Sequence, residues 1–192
     1  MTSRLFTTVA AGLALLATAA PAAAAYPTAV FAGGCFWSAE HDVEHLPGVR
    51  RVVVGYAGGT RARPNYGNHA GHLEAVQVTY DPARTSYAQL VEGFFHHIDP
   101  TDAGGQICDR GPSYRTAVFV ASPEERQAAE AVKAKVGQAL GKPVATAILP
   151  ASRFWLAEDY HQDYARKNPA AYTAYRVGCG RDARIKAVWA GR

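Results

Sequence analysis

The chain reads as an α+β domain, with helices packed on a mixed or antiparallel sheet. Three observations support this. Short β-rich runs recur at 28–32, 49–56, 73–80, 114–121 and 144–149. Between them lie two segments with apolar residues at helical spacing, each opened by its own capping residues. After an N-terminal leader is set aside, the remaining chain has the length of one domain and can bury a full core.

The leader comes first. Arg4 and the amino terminus supply a weak positive region, 9–20 is an apolar run, Pro21 breaks it, and Ala23 and Ala25 form a small-x-small cleavage pattern. The run is shorter than the roughly 20 residues of a membrane span. The sequence therefore predicts a signal peptide over 1–25 and an exported protein, periplasmic or extracellular, with no stable membrane insertion after cleavage. Residues 26–192 form the domain.

Within it, a short strand enters Gly33-Gly34. A helix over 38–46 places Phe36, Ala39, Val43 and Leu46 on one side and stops at Pro47-Gly48. After the strand 49–56 comes a polar loop, 58–71, with Pro64, Asn65 and Tyr66. The strand 73–80 closes at Asp81-Pro82. Ser86 and Gln89 then form a capping box for a helix carrying Tyr87, Leu90, Val91, Phe94 and Ile98. A Gly/Asp/Pro-rich loop, 99–113, contains Cys108. Ser122, Pro123 and Glu125 open a helix to Leu140, ended by Gly141. The last forty residues, rich in tyrosine and with Cys179 between two glycines, read as a long irregular segment ending in a short apolar-patterned tail. The whole is a two-layer α/β sandwich with a ferredoxin-like core.

The net charge is +4, with scattered arginines and no basic run, which argues against a nucleic-acid partner. Three cysteines (Cys35, Cys108, Cys179) cannot form a closed disulfide framework, so one thiol is left for an intermolecular bond or for chemistry. No C-x-x-C pair is present, no H-x-x-x-H pair is singled out among the histidines, and no zinc site is expected. A monomer is expected.

Gly33-Gly34-Cys35-Phe36-Trp37 is the most informative stretch. A cysteine after two glycines, at the start of a helix, should ionise more readily than in water. Phe36 and Trp37 add an apolar wall, which suits a substrate carrying a methyl group beside an electrophilic atom. Glu74 shares a strand face with Val76, Val78 and Tyr80; if that face is the core, the carboxyl enters low dielectric, stays protonated and serves as a general acid. Tyr66, Asp109 and Tyr114 lie at or beside Gly/Pro-rich turns, where functional groups are displayed.

Taken together, these segments resemble the type A peptide methionine sulfoxide reductases from about Val30 to about Tyr172. Gly33-Gly34-Cys35-Phe36-Trp37 is similar to that family's nucleophile motif. It is followed in order by Leu46-Pro47-Gly48-Val49, Gly55-Tyr56-Ala57-Gly58-Gly59, Pro64-Asn65-Tyr66 and Gly71-His72-Leu73-Glu74-Ala75-Val76. Then come Asp109-Arg110-Gly111-Pro112-Ser113-Tyr114-Arg115, Ala157-Glu158-Asp159-Tyr160-His161-Gln162 and Lys167-Asn168-Pro169.

The resemblance implies that Cys35 attacks the sulfoxide sulfur, Glu74 protonates its oxygen, and Tyr66 and Tyr114 hold that oxygen. Asp109 would organise the pocket through water, and Phe36 and Trp37 would receive the methyl group. It also implies reduction of the S epimer, protein-bound or free, a sulfenic acid on Cys35, and a disulfide with a resolving cysteine. No bound cofactor is implied; a thioredoxin-like dithiol protein would reset the enzyme. Cys179, with its flexible glycine flanks, is expected to resolve, with Cys108 as the alternative. The absence of a further C-terminal cysteine argues against a two-step thiol exchange. Ser38, where the motif often has glycine, is read as a helix cap, and His72 and His161 as structural hydrogen-bonders that position neighbouring loops. A thiol peroxidase is the rival enzyme, and a non-catalytic binder of oxidised methionine the rival of a different class.

Overall fold

The computed structural model describes residues 25–191, so the leader expected over 1–25 lies outside the described residues except for Ala25. Strand β1 (Thr28–Ala32) leads into helix α1 (Phe36–Val43), β2 (Val49–Ala57), β3 (Leu73–Tyr80) and α2 (Tyr87–Phe95). A small hairpin, β4 (Gly105–Gln106) and β5 (Asp109–Arg110), precedes a 3-10 turn (Pro112–Tyr114) and β6 (Ala117–Val120). Then follow α3 (Pro123–Leu140), β7 (Ala147–Pro150), β8 (Trp155–Leu156), α4 (Tyr164–Lys167), α5 (Pro169–Cys179) and α6 (Arg181–Trp189).

The main sheet has the order β7-β6-β1-β3-β2-β8, antiparallel except for the β6–β7 pair. Its β1-α1-β2-β3-α2-β6 portion is a ferredoxin-like split βαβ unit, as expected. Alternation sorts the strand residues cleanly. Phe31, Val54, Val76, Val78, Val118 and Val120 form one core with Phe36, Leu90, Phe94 and Val132 of the helices. Ala32, Ala57, Ala75, Ala117 and Phe119 form a smaller cluster, the alternate residues of β1, β2, β3 and β6.

The capping residues act as the sequence predicts. Ser86 Oγ accepts from the Gln89 N–H at 3.3 Å while Gln89 Oε1 accepts from the Ser86 N–H at 2.8 Å. Ser122 caps α3, and Gly141 ends it in the left-handed region.

The last segment departs from expectation. From Tyr164 onward it is helical. Its order comes from distant partners: buried Asp42 on α1 accepts from Arg181 Nε at 2.9 Å and pairs with Arg176 at 2.8 Å. Arg184 pairs with Asp99 at 2.6 Å, and Trp189 Nε1 donates to the Ile98 carbonyl at 3.1 Å. No helix of the described residues is long and apolar enough to cross a membrane.

Candidate active site

The sheet register assembles the site. β1 runs antiparallel to both β3 and β6, so its C-terminal end meets the N-terminal ends of both. Cys35 follows β1, Glu74 begins β3, and Tyr114 precedes β6. Gly34 makes the turn possible: it has φ +87°, and a Cβ there would lie 2.6 Å from the Gln106 side chain. Gln106 is itself fixed, accepting from the Asp99 N–H at 2.7 Å and donating to the Asp99 carbonyl at 3.0 Å. Ser38 is not the cap of α1; Cys35 occupies that position, and Ser38 is buried one turn inside.

Glu74 is 1 % exposed, on the same face as Val76 and Val78. Its Oε2 accepts the Phe36 backbone N–H at 3.0 Å, which leaves the other oxygen to carry a proton beside the nucleophile turn. Burial pushes its pKa up to about 8, against the Phe36 hydrogen bond, with the nearby Asp109 charge adding to the rise. The buried carboxyl that the strand pattern allows is present, with its proton affinity raised.

Cys35 is a free, buried thiol. The expectation that a helix N-terminus would favour its thiolate is overturned. Burial first, then the Glu74 and Asp109 carboxyls, push its pKa up to about 12, outweighing hydrogen bonds from Tyr175 and from the Trp37 backbone. The partial charge of a two-turn helix is a smaller effect than desolvating a full anion.

Tyr66 and Tyr114 stand near this pair. Tyr114, at the end of the 3-10 turn, and Tyr66, on the β2–β3 loop, both have raised pKa values, chiefly from burial and then from the Glu74 charge, with Cys35 also contributing. Tyr66 is 44 % exposed, its backbone N–H donating to Glu158 Oε1 at 2.9 Å. Glu158 also accepts from the Tyr56 hydroxyl at 3.0 Å, which ties the Tyr66 loop to the sheet.

The aromatic wall divides into two parts. Phe36 has no exposed surface and packs under Tyr56 and His161, whereas Trp37 is only partly buried. Trp37 stacks on Tyr164 with centroids 3.7 Å apart, and its Nε1–H donates to His161 Nδ1 at 3.0 Å. Burial lowers the His161 pKa, consistent with a neutral ring accepting at Nδ1. His161 is the structural hydrogen-bonder expected, whereas His72 is buried with neither ring nitrogen hydrogen-bonded among the described residues, so that expectation fails for His72. Tyr164 and Glu158 were not singled out, although both lie in or beside a quoted motif.

Asp109 is bonded directly to the C-terminal segment. Its Oδ2 accepts directly from the Tyr175 hydroxyl at 2.6 Å, and it also accepts the Cys35 backbone N–H. Tyr175 is the residue that sequence reasoning missed. The only available signal was the tyrosine-rich C-terminal segment, because its partner lies 66 residues away.

Cys108 and Cys179 are bonded to each other, with Cα atoms 5.2 Å apart, and neither is bonded to Cys35. Cys179 closes α5 rather than lying in a free glycine-flanked segment, since Arg176 and Arg181 on either side are pinned to Asp42.

Two groups among the described residues bring metal-ligating atoms within 4.8 Å of one another. In the first, Cys108, Asp109 and Cys179, both sulfurs are spent in the bridge. The second, His41, Glu44 and His45, is an H-x-x-x-H spacing that the sequence reading passed over; it is mostly exposed, and His45 Nδ1 already bonds the His41 carbonyl at 2.9 Å.

A protein-family model described as peptide methionine sulfoxide reductase matches residues 27–192. The chain belongs to that family. It is 52% identical over 195 residues to "Peptide methionine sulfoxide reductase MsrA 2" of Caulobacter vibrioides, covering 98% of this chain and 99% of the relative. Among solved structures, reduced Mxr1 of Saccharomyces cerevisiae superposes with a TM-score of 0.71 at 30% identity, over 76% of this chain and 87% of that one. Mxr1 in complex with Trx2 has the same fold, with a TM-score of 0.55 at 24% identity over 78% and 91% of the two chains. The chain is thus an oxidoreductase of the methionine sulfoxide reductase A type.

Proposed function

We propose that the reductase converts the S epimer of methionine sulfoxide, free or in proteins, to methionine, with Cys35 as nucleophile and Glu74 as acid. The observation that carries this reading is a free buried thiol beside a buried carboxyl held protonated near neutrality. A sulfoxide sulfur is a weak electrophile until its oxygen gains a proton, so the reaction needs this acid and a thiol peroxidase does not. Cys35 attacks the sulfur, Glu74 protonates the oxygen, and Tyr66 and Tyr114 donate to that oxygen. The products are a Cys35 sulfenic acid and the thioether; one oxygen has moved and two electrons have passed from the Cys35 sulfur to the sulfoxide. Trp37, supported by Tyr164 and His161, receives the methyl group, with Phe36 as the floor beneath.

Cys179 then condenses with the sulfenic acid, releasing water, and Cys108 displaces Cys35 from the resulting disulfide. A bridge between Cys108 and Cys179 beside a free Cys35 is the end state of that exchange, which supports two steps in place of the single step the cysteine count favoured. A thioredoxin-like dithiol protein then reduces the bridge; the yeast relative's capture with Trx2 is in keeping with such a donor. The signal-like sequence pattern of residues 1–25 supports a site of action in the periplasm or outside the cell.

Racemic methionine sulfoxide is the test. The reductase should stop at half conversion, leave the R epimer, and turn over hydrogen peroxide far more slowly. Consumption of both epimers, or faster turnover of peroxide, contradicts the reading.

A further inference from the structure

The reading of Cys35 as nucleophile leaves one proton without an acceptor. A thiol reacts as its thiolate, and Cys35 is pushed up to about 12 by burial first and then by the Glu74 and Asp109 carboxyls. Glu74 has to keep its own proton for the sulfoxide oxygen, so it does not serve as the base. His161 is bonded through Nδ1 to Trp37 and not to the sulfur.

We propose that Tyr175 is a further catalytic residue, whose hydroxyl carries the Cys35 proton to the Asp109 carboxylate as the sulfur attacks. This rests on the function proposed above. Tyr175 Oη donates to Asp109 Oδ2 at 2.6 Å, a separation typical of a charge-assisted bond. The same hydroxyl lies close enough to the Cys35 side chain for each to shift the other's proton affinity, favouring the thiolate. A phenol has one proton. With that proton donated to Asp109, the hydroxyl oxygen is left to take the proton of the nearby Cys35 S–H, and the protons point one way, from thiol to phenol to carboxylate. Asp109 is kept ready to receive: it accepts the Cys35 backbone N–H and faces Arg181, while burial makes it a stronger base than a free aspartate.

The path is held from several sides. The Tyr175 ring meets Trp37 edge-on, with centroids 6.1 Å apart. One residue on, Arg176 pairs with Asp42 at 2.8 Å, and one helical turn on, Cys179 is bridged to Cys108, the neighbour of Asp109. The remaining groups facing the site are Glu74 from β3, Tyr66 from the β2–β3 loop, Tyr114 from the 3-10 turn and Arg181 from α6.

The protons balance. Before attack they lie on Cys35 and Glu74, with Asp109 ionised. As the sulfur attacks, Tyr175 takes the thiol proton and passes its own to Asp109. Glu74 gives its proton to the sulfoxide oxygen, which ends as the hydroxyl of the sulfenic acid. The thioether leaves, Glu74 is left as carboxylate and Asp109 as acid, and exchange with solvent restores both.

The test is a rapid-mixing single turnover of the bridged enzyme with excess methionine sulfoxide, read as methionine released, from mildly acidic to mildly alkaline pH. Tyr175→Phe should slow the step by roughly 10²-fold at neutral pH, the scale of general acid–base catalysis. The substrate concentration for half-maximal rate should not change, and the residual rate should climb with pH as hydroxide replaces the lost base, levelling off near pH 8 where Glu74 gives up its proton. Asp109→Asn should reproduce that profile, and the double variant should be no slower than the slower single one, because both remove one path. A Tyr175→Phe rate within twofold of the parent, a pH-independent drop, or losses that multiply in the double variant would each overturn the proton path. Absence of methionine from the parent enzyme would overturn the proposed function instead; release by the parent and by Tyr175→Phe alike would overturn only the role of Tyr175.

Discussion

Replacing Glu74 by glutamine tests the acid in two independent ways. The amide oxygen can still accept the Phe36 N–H, so the nucleophile turn keeps its anchor. What is lost is the ability to be an acid. In the folded protein the Glu74 pKa is raised from 4.5 to about 8, mainly by burial. At about 1.36 kcal/mol per tenfold change in proton affinity, ionised Glu74 burdens the fold by on the order of 5 kcal/mol. The sign follows from proton counts. Between pH 4.5 and about 8 the folded state holds a proton that the unfolded chain has released, so stability falls as pH rises through that window and levels off above it. Glutamine does not titrate. Urea unfolding should therefore show parent and Glu74→Gln diverging with rising pH, in favour of the variant. In the same variant, methionine release in a single turnover should slow by roughly 10²-fold or more. A stability difference independent of pH, together with an unchanged single-turnover rate, would refute the assignment.

Three further outcomes follow from the same geometry. Cys179→Ser should release one equivalent of methionine and stall with Cys35 as a sulfenic acid, whereas Cys108→Ser should accumulate a Cys35–Cys179 disulfide; mass mapping that finds the reverse would exchange their roles. Asp42→Asn leaves the buried Arg181 guanidinium without its counter-charge and should cost about 3–5 kcal/mol in urea unfolding; a loss below about 1 kcal/mol would show that Asp42 does not anchor α5 and α6. N-terminal sequencing of the exported protein should begin near Tyr26, and a start at Met1 or Thr2 would replace a cleaved leader by a retained one.

Local signals carried much of the fold. The Ser86/Gln89 box, the Ser122 and Pro123 start and the Gly141 stop each mark an element through residues adjacent in sequence, and each acts as expected. Alternation on β3 placed Glu74 with Val76 and Val78 because a strand's faces depend only on residue parity. What stayed hidden depends on distance along the chain. α5 and α6 are ordered by Arg176 and Arg181 meeting Asp42, 139 residues before Arg181, while Gly178 and Gly180 suggest irregular chain locally. Tyr175 acquires its meaning only when α5 meets the β5 hairpin. The acidity of Cys35 was misjudged for a related reason. A helix start is visible in sequence, but the depth of burial that overrides it is not.

The central claim is that Cys35 takes the oxygen while Glu74 supplies the proton. Bridged enzyme should be treated with one equivalent of the S epimer of methionine sulfoxide, quenched with a sulfenic-acid trap and mapped by mass spectrometry. The account predicts one equivalent of methionine and the trap on Cys35 alone, with neither in Cys35→Ser. Methionine released without a trapped Cys35, or released by Cys35→Ser, would contradict it.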